Sequence, residues 1–104
     1  MADGQEALRA EVLAYLGERY SLTLATDGAG GPWAAGSYFA SDGLTLYFLS
    51  DPASRHCQDI AVDGRVAAAI HEDYKDWREI RGVQLEGTAG PVVGAADLAR
   101  AWEV

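Results

Sequence analysis

The sequence predicts an α+β fold, mainly β, with five short strands and helices at the start, middle and end. Three observations carry this. Apolar residues alternate in several short segments, they recur at helical spacing near the N-terminus, and Gly-bearing turns punctuate the chain at short intervals. So many short strands leave exposed edges unless the sheet closes, so a barrel-like arrangement of antiparallel strands is expected. At 104 residues and 11.1 kDa the chain has the length of one domain, residues 1–104, and no internal repeat divides it.

Leu8, Val12, Leu16 and Tyr20 lie four apart, with Leu13 beside them and Asp3 and Glu6 at capping-box spacing, which predicts a helix over residues 4–19. "SLTLAT" then alternates, "DGAGG" turns the chain, and "PWAAGSYFAS" returns as a second strand. After Asp42-Gly43, "LTLYFLS" gives a third, the three forming a meander. Pro52 after Ser50 and Asp51 marks a helix start, so a short helix is expected over residues 52–62, with Ala53, Cys57, Ile60 and Ala61 inward. The apolar run "RVAAAIH" suits a central strand covered on both faces or closed into a barrel. "EDYKDWRE" is a polar loop, and "IRGVQLEGTAG" is a fifth strand with Gly82 and Gly87 as places for a bulge or close backbone approach. "GAADLARAWEV" carries Leu98, Ala99 and Trp102 at helical spacing and stops about two turns in.

Composition narrows the function. Sixteen acidic against eight basic residues give a formal charge of -8, which disfavours nucleic acid and anionic lipid as partners. Cys57 is the one cysteine, so neither an intramolecular disulfide nor a zinc cluster can form, and a reducing, cytoplasmic setting is expected. No apolar run reaches the roughly 20 residues that span a bilayer, and "MADGQEALRAE" lacks the features of an export signal. His56 and His71 have no companions at metal-ligand spacing, so no metal site is expected. GxSxG, Walker A and GxGxxG patterns are absent, which excludes the common hydrolase, P-loop and Rossmann readings.

Within this acidic chain, "FLSDPASRHCQDI" gathers Ser50, Ser54, Arg55 and His56 around the first turn of a helix, where unpaired N–H groups and the dipole favour an anion. Hydroxyls, backbone donors and a guanidinium suit a phosphomonoester. The alternative is a capped helix with a solvated Arg-His pair, and Asp51 counts towards it because a carboxylate repels phosphate. In "GPWAAGSYFAS" the small residues Ala34, Ala35, Gly36 and Ser37 sit between Trp33 and Tyr38-Phe39. A flat ring can lie against such a strand, or a helix can pack on it. "YKDWREIRGVQLEG" clusters Lys75, Arg78 and Arg81 about Trp77, either to grip an anion or to neutralise nearby carboxylates. Strict alternation puts Arg81 on one face with Val83 and Leu85, a conflict that a bulge at Gly82 resolves.

In order, "LTLAT", "GPWAAGSYFASDGLTLYFLSDPASRHCQDIAVDGRVAAAI" and "IRGVQLEGTAGPV" resemble the pyridoxamine 5'-phosphate oxidase-like, FMN-binding split-barrel family over about residues 8–103. The most specific part is a strand ending in a hydroxyl residue, then a short turn, "SRH" and a helix. The resemblance implies a split β-barrel of about five to six antiparallel strands with short flanking helices. It implies that Ser50, Ser54, Arg55 and His56 hold the FMN phosphate, that the flavin lies along Ala35, Gly36, Ser37 and Tyr38 with Leu49 in contact, and that Arg81 contributes from the fifth strand. A homodimer with flavin at its groove, and exchange of hydride or electrons with a small-molecule partner, are implied too.

The chain departs from that pattern at three places. His56 stands where the oxidases have lysine, Gly82 stands where they have glutamine, and nothing after Val104 supplies the usual further strand and basic substrate-binding residues. The expectation is either a piece of a longer chain lacking its C-terminal strand or a minimal member that closes its barrel through the dimer. Pyridoxamine phosphate oxidation is therefore not carried over, and catalytic residues stay unassigned. The alternative function is a non-catalytic protein of the same fold binding flavin, deazaflavin or haem, with His56 or His71 as a haem ligand.

Overall fold

A computed structural model describes residues 2–93 of the chain. The N-terminal helix α1 spans Ala2–Glu18 and leads into a hairpin of β1, Ser21–Gly28, and β2, Gly31–Tyr38. Two short strands follow, β3, Ala40–Asp42, and β4, Thr45–Tyr47. Helix α2, Arg55–Val62, β5, Arg65–His71, a 3-10 turn over Trp77–Glu79, and β6, Gly82–Thr88, complete the described elements. The helix expected from Leu98, Ala99 and Trp102 lies outside the described residues.

Strands β2, β1, β5 and β6 form one antiparallel sheet in that order, and β3 and β4 pair separately. The expected meander is thus corrected. The strand expected over residues 32–41 divides at Phe39, whose backbone N–H donates to Tyr20 O at 2.9 Å, one step beyond the Ser21–Tyr38 pair, and from Ala40 the chain pairs with β4 instead. Phe39 is buried there, and its side chain joins the core as the chain crosses from one sheet to the other.

The first hairpin closes through a two-residue turn between the paired Gly28 and Gly31, and Gly31 has φ +91°, a conformation that costs glycine little. Alternation along β1 is strict. Leu22, Leu24 and Thr26 are buried, while Ser21, Thr23, Ala25 and Asp27 face outward. Leu22 and Leu24 meet Ala68 and Ile70 of β5, Tyr15 and Leu16 of α1, and Phe39 in one core, with Val66, Val83, Leu85 and Ile60 against its margin. Of the residues expected on the buried face of α1, Leu16 and, partly, Val12 turn inward. Leu8 and Tyr20 are exposed, and Tyr15 takes the buried place. Residues 4–11 are all exposed, as suits the polar "GQEALRAE".

Strand β5 is central, as its composition predicts, yet the described residues cover only one of its faces. Ala68 and Ile70 are buried and Ala67 is exposed. Strand β6 pairs with it continuously from Arg65 opposite Thr88 to His71 opposite Gly82, so the bulge expected at Gly82 is not formed. The ladder instead begins at Gly82, leaving Arg81 outside it. Close approach does occur at Gly82, where a Cβ would stand 3.0 Å from Ile70 O and 3.1 Å from His71 Cβ; at Gly87 nothing lies within 4 Å. No described helix is long and apolar enough to cross a membrane.

Candidate functional site

The segment between β4 and α2 folds in two steps. Ser54 N–H donates to Asp51 O at 2.9 Å, and the Asp51 carboxylate accepts the Ala53 N–H, also at 2.9 Å. The carboxylate that argued against a phosphate is therefore engaged in its own turn. The helix expected from residue 52 starts only at Arg55, with Ser54 as N-cap accepting the Cys57 N–H at 3.4 Å.

This arrangement collects three of the expected anion-binding groups. His56 Nε2 lies 2.8 Å from Ser50 Oγ and 3.4 Å from Ser54 Oγ, so one ring nitrogen joins a hydroxyl preceding the turn to the hydroxyl that caps the helix. The Phe48 ring lies against the imidazole, centroid to centroid 6.2 Å. All three polar residues are partly buried. Arg55 starts the same helix and leans towards the hairpin, its guanidinium 4.2 Å from the Trp33 ring centroid and its Nη2 donating to Gly30 O at 3.1 Å.

Strand β2 divides its residues between two faces. Ala35 and Ser37 are half-buried on the side of the core, whereas Gly36 and Tyr38 point outward, Tyr38 82% exposed. Leu49, two residues past β4, is 80% exposed. Arg81 is not brought to this group within one chain. It precedes β6, at the opposite edge of the sheet from β2, and its guanidinium reaches Glu11 at 3.6 Å and the Tyr15 ring at 5.5 Å.

On the outer face, cross-strand pairing aligns Gly36, Thr23, Ala69 and Gln84 in one row and Ala34, Ala25, Ala67 and Glu86 in the next. A hollow of about 460 Å³ lies there, bordered by Ser21, Thr23, Gly36, Tyr38, Ala69 and His71. His71 Nδ1 is 3.1 Å from Glu72 O. A carbonyl only accepts, so Nδ1 carries the hydrogen and Nε2 is the basic nitrogen. Sequence reading weighed His71 only as a metal or haem ligand; its place beside Tyr38 depends on strand order, which no local signal encodes.

Perturbed ionisations fall outside this region. Hydrogen bonds from Arg65 hold the Asp63 carboxyl at about 2, and Arg78 similarly lowers Asp76. The Tyr74 hydroxyl, bonded to the Tyr15 hydroxyl and desolvated, is pushed up to about 12. Among the described residues no three His, Cys, Asp or Glu side chains gather as a metal site would require.

The sequence pattern of the pyridoxamine 5'-phosphate oxidase family matches residues 8–104. The chain belongs to that family. A UPF0306 protein of Photorhabdus laumondii is 29% identical over 90 residues, 84% of this chain and 63% of that protein, and one of Enterobacter is 31% identical over 75 residues, 70% and 53%. The chain therefore spans between half and two thirds of the length of these relatives. Among solved structures, the heme storage protein HutZ of Vibrio cholerae superposes with TM-score 0.74 at 23% identity, over 88% of this chain and 68% of that one. A heme binding protein of Mycobacterium smegmatis gives 0.74 at 24%, over 91% and 39%. These likenesses show that the fold is the split barrel of the family.

Proposed function

We propose that the chain is an FMN-binding flavoprotein that exchanges hydride or electrons with a small molecule at the groove of a homodimer. The observation that carries this reading is the convergence of Ser50, Ser54 and His56, with Arg55 on the same helix turn, beside β2. Two hydroxyls, an imidazole and a guanidinium are a donor set suited to a phosphomonoester, and Asp51 is occupied elsewhere. The small residues Ala35 and Gly36 leave the strand backbone open to a flat ring. When bound, the flavin supplies the redox chemistry, while the chain binds and orients it.

The outer face, which none of the described residues covers, supports the dimer. Thr23, Ala25, Ala67 and Ala69 form a patch of small side chains that a second copy can cover closely. Such packing is also the route by which Arg81, remote from the cluster in one chain, reaches a site. The single cysteine accords with a reducing, cytoplasmic setting.

The absorption spectrum of freshly purified protein tests this reading. Flavin bands, lost from Arg55→Ala while the circular dichroism is unchanged, are the expected result, and bleaching by NADH or NADPH then separates an oxidoreductase from a carrier. Flavin occupancy unaltered by Arg55→Ala sinks the phosphate assignment. The second reading is a binding protein for haem or a deazaflavin, favoured by the basic Nε2 of His71 on the outer face and by the haem proteins that share the fold. A Soret band in the same spectrum, abolished by His71→Ala, decides for haem.

A further inference from the structure

Arg55 is held by two contacts that leave most of its donors uncommitted. The guanidinium Cζ lies over the Trp33 ring, 4.2 Å from its centroid, and Gly30 O accepts one N–H at 3.1 Å. A guanidinium binds oxyanions through its five N–H donors, whereas a cation–π contact is an attraction of its charge to the ring face and takes up no acceptor atom. Trp33 and Gly30 O therefore restrain Arg55 while, among the described residues, one of its N–H groups is committed to a hydrogen bond. Gly30 is matched to this arrangement, because a Cβ there would stand 2.9 Å from Arg55 Nη2. Both supports come from the β1–β2 hairpin, while the other anion-binding candidates lie on the β4–α2 segment and α2.

We propose that Trp33 is a positioning residue for Arg55, with the hairpin preorganising the guanidinium for the phosphate end of the cofactor. The inference rests on the FMN reading above and adds the device that makes retention selective for a phosphorylated flavin. A freely rotating arginine loses rotamer freedom on binding an anion, and one already held by a ring and a carbonyl has lost part of it beforehand.

The test compares the affinities of FMN and riboflavin, which differ by the phosphate, by flavin fluorescence titration of wild type, Trp33→Ala, Trp33→Phe, Arg55→Ala and the Trp33→Ala/Arg55→Ala double variant. Trp33→Ala is expected to weaken FMN roughly three- to fivefold, in the range of a partly exposed cation–π contact, and to leave riboflavin unchanged. Trp33→Phe restores most of the loss, and in the Arg55→Ala background Trp33→Ala has no further effect. Gly30→Ala provides a second route that keeps the tryptophan, since its methyl displaces Nη2; the same FMN-selective weakening is expected. Equal weakening of FMN and riboflavin by Trp33→Ala, a loss that persists without Arg55, or unchanged FMN affinity in both Trp33→Ala and Gly30→Ala overturns the positioning role alone. Wild type that binds neither flavin overturns the FMN reading and this inference with it.

Discussion

Thr26 and Asp59 show how one polar pair fixes the position of α2 on the sheet. Thr26 Oγ1 donates to Asp59 Oδ2 at 2.8 Å, both residues are buried, and the carboxylate fills the space beside Gly28, where a Cβ would stand 2.0 Å from Oδ1. Thr26→Val keeps the shape and removes the donor, so a buried carboxylate loses its hydrogen bond. A cost of about 1–3 kcal/mol is expected, read by urea unfolding. Gly28→Ala should destabilise the fold through steric overlap instead, by about 1–3 kcal/mol in the same measurement. Ionisation can be read at the α2–β5 turn. Arg65 lowers the Asp63 carboxyl from 3.8 to about 2, so the charged form is favoured in the folded chain. The resulting stabilisation is present above the ordinary value near 4 and fades as pH falls through about 2. In Arg65→Met the Asp63 titration, followed by NMR, should move back up towards 3.8. Gly28 was legible here only as part of a turn and Asp59 only as a position in the helix expected over residues 52–62, because the Thr26–Asp59 bond joins segments far apart in sequence.

Helix α2 and strand β2 mark the limits of local pattern at the level of the element. Residues 50–54 contain two successive start signals, Asp51-Pro52 and Ser54, and alternation or composition cannot choose between them. The turn hydrogen bonds assign the first to a non-helical turn and the second to the N-cap. Ser54→Ala should therefore cost about 1 kcal/mol of stability in flavin-free protein, measured by thermal unfolding, and should also reduce FMN retention. The break between β2 and β3 was not visible in "SYFAS", where Phe39 and its neighbours all favour strands. It coincides with burial of the Phe39 ring, after which Ala40–Asp42 leave β1 and pair with β4, both tertiary events. The first hairpin, in contrast, was fully legible, since its alternation and its glycine turn are both local.

The whole molecule explains why half of the candidate site could be read and the rest could not. Ser50, Ser54, Arg55 and His56 are near neighbours in sequence and stay together in the fold. Arg81 belongs to the opposite sheet edge, a fact set by the strand order β2-β1-β5-β6. Likewise "RVAAAIH" reads as a strand covered on both faces or closed into a barrel, whereas the described residues of one chain cover only the face that carries Ala68 and Ile70. If a second copy supplies the other cover, Ala25→Glu at the centre of that face should give a monomer by analytical ultracentrifugation and release flavin, with circular dichroism unchanged. The same sheet order also bears on how the chain folds. Strands β1 and β2 meet across two residues, but β1 must then wait for β5, with Ala25 pairing to Ala67, before the core has a floor. Closing a loop of roughly forty residues has an entropy cost that its own contacts repay only afterwards. Folding speed should therefore respond to changes in the β1–β5 ladder far more than to changes in the hairpin turn.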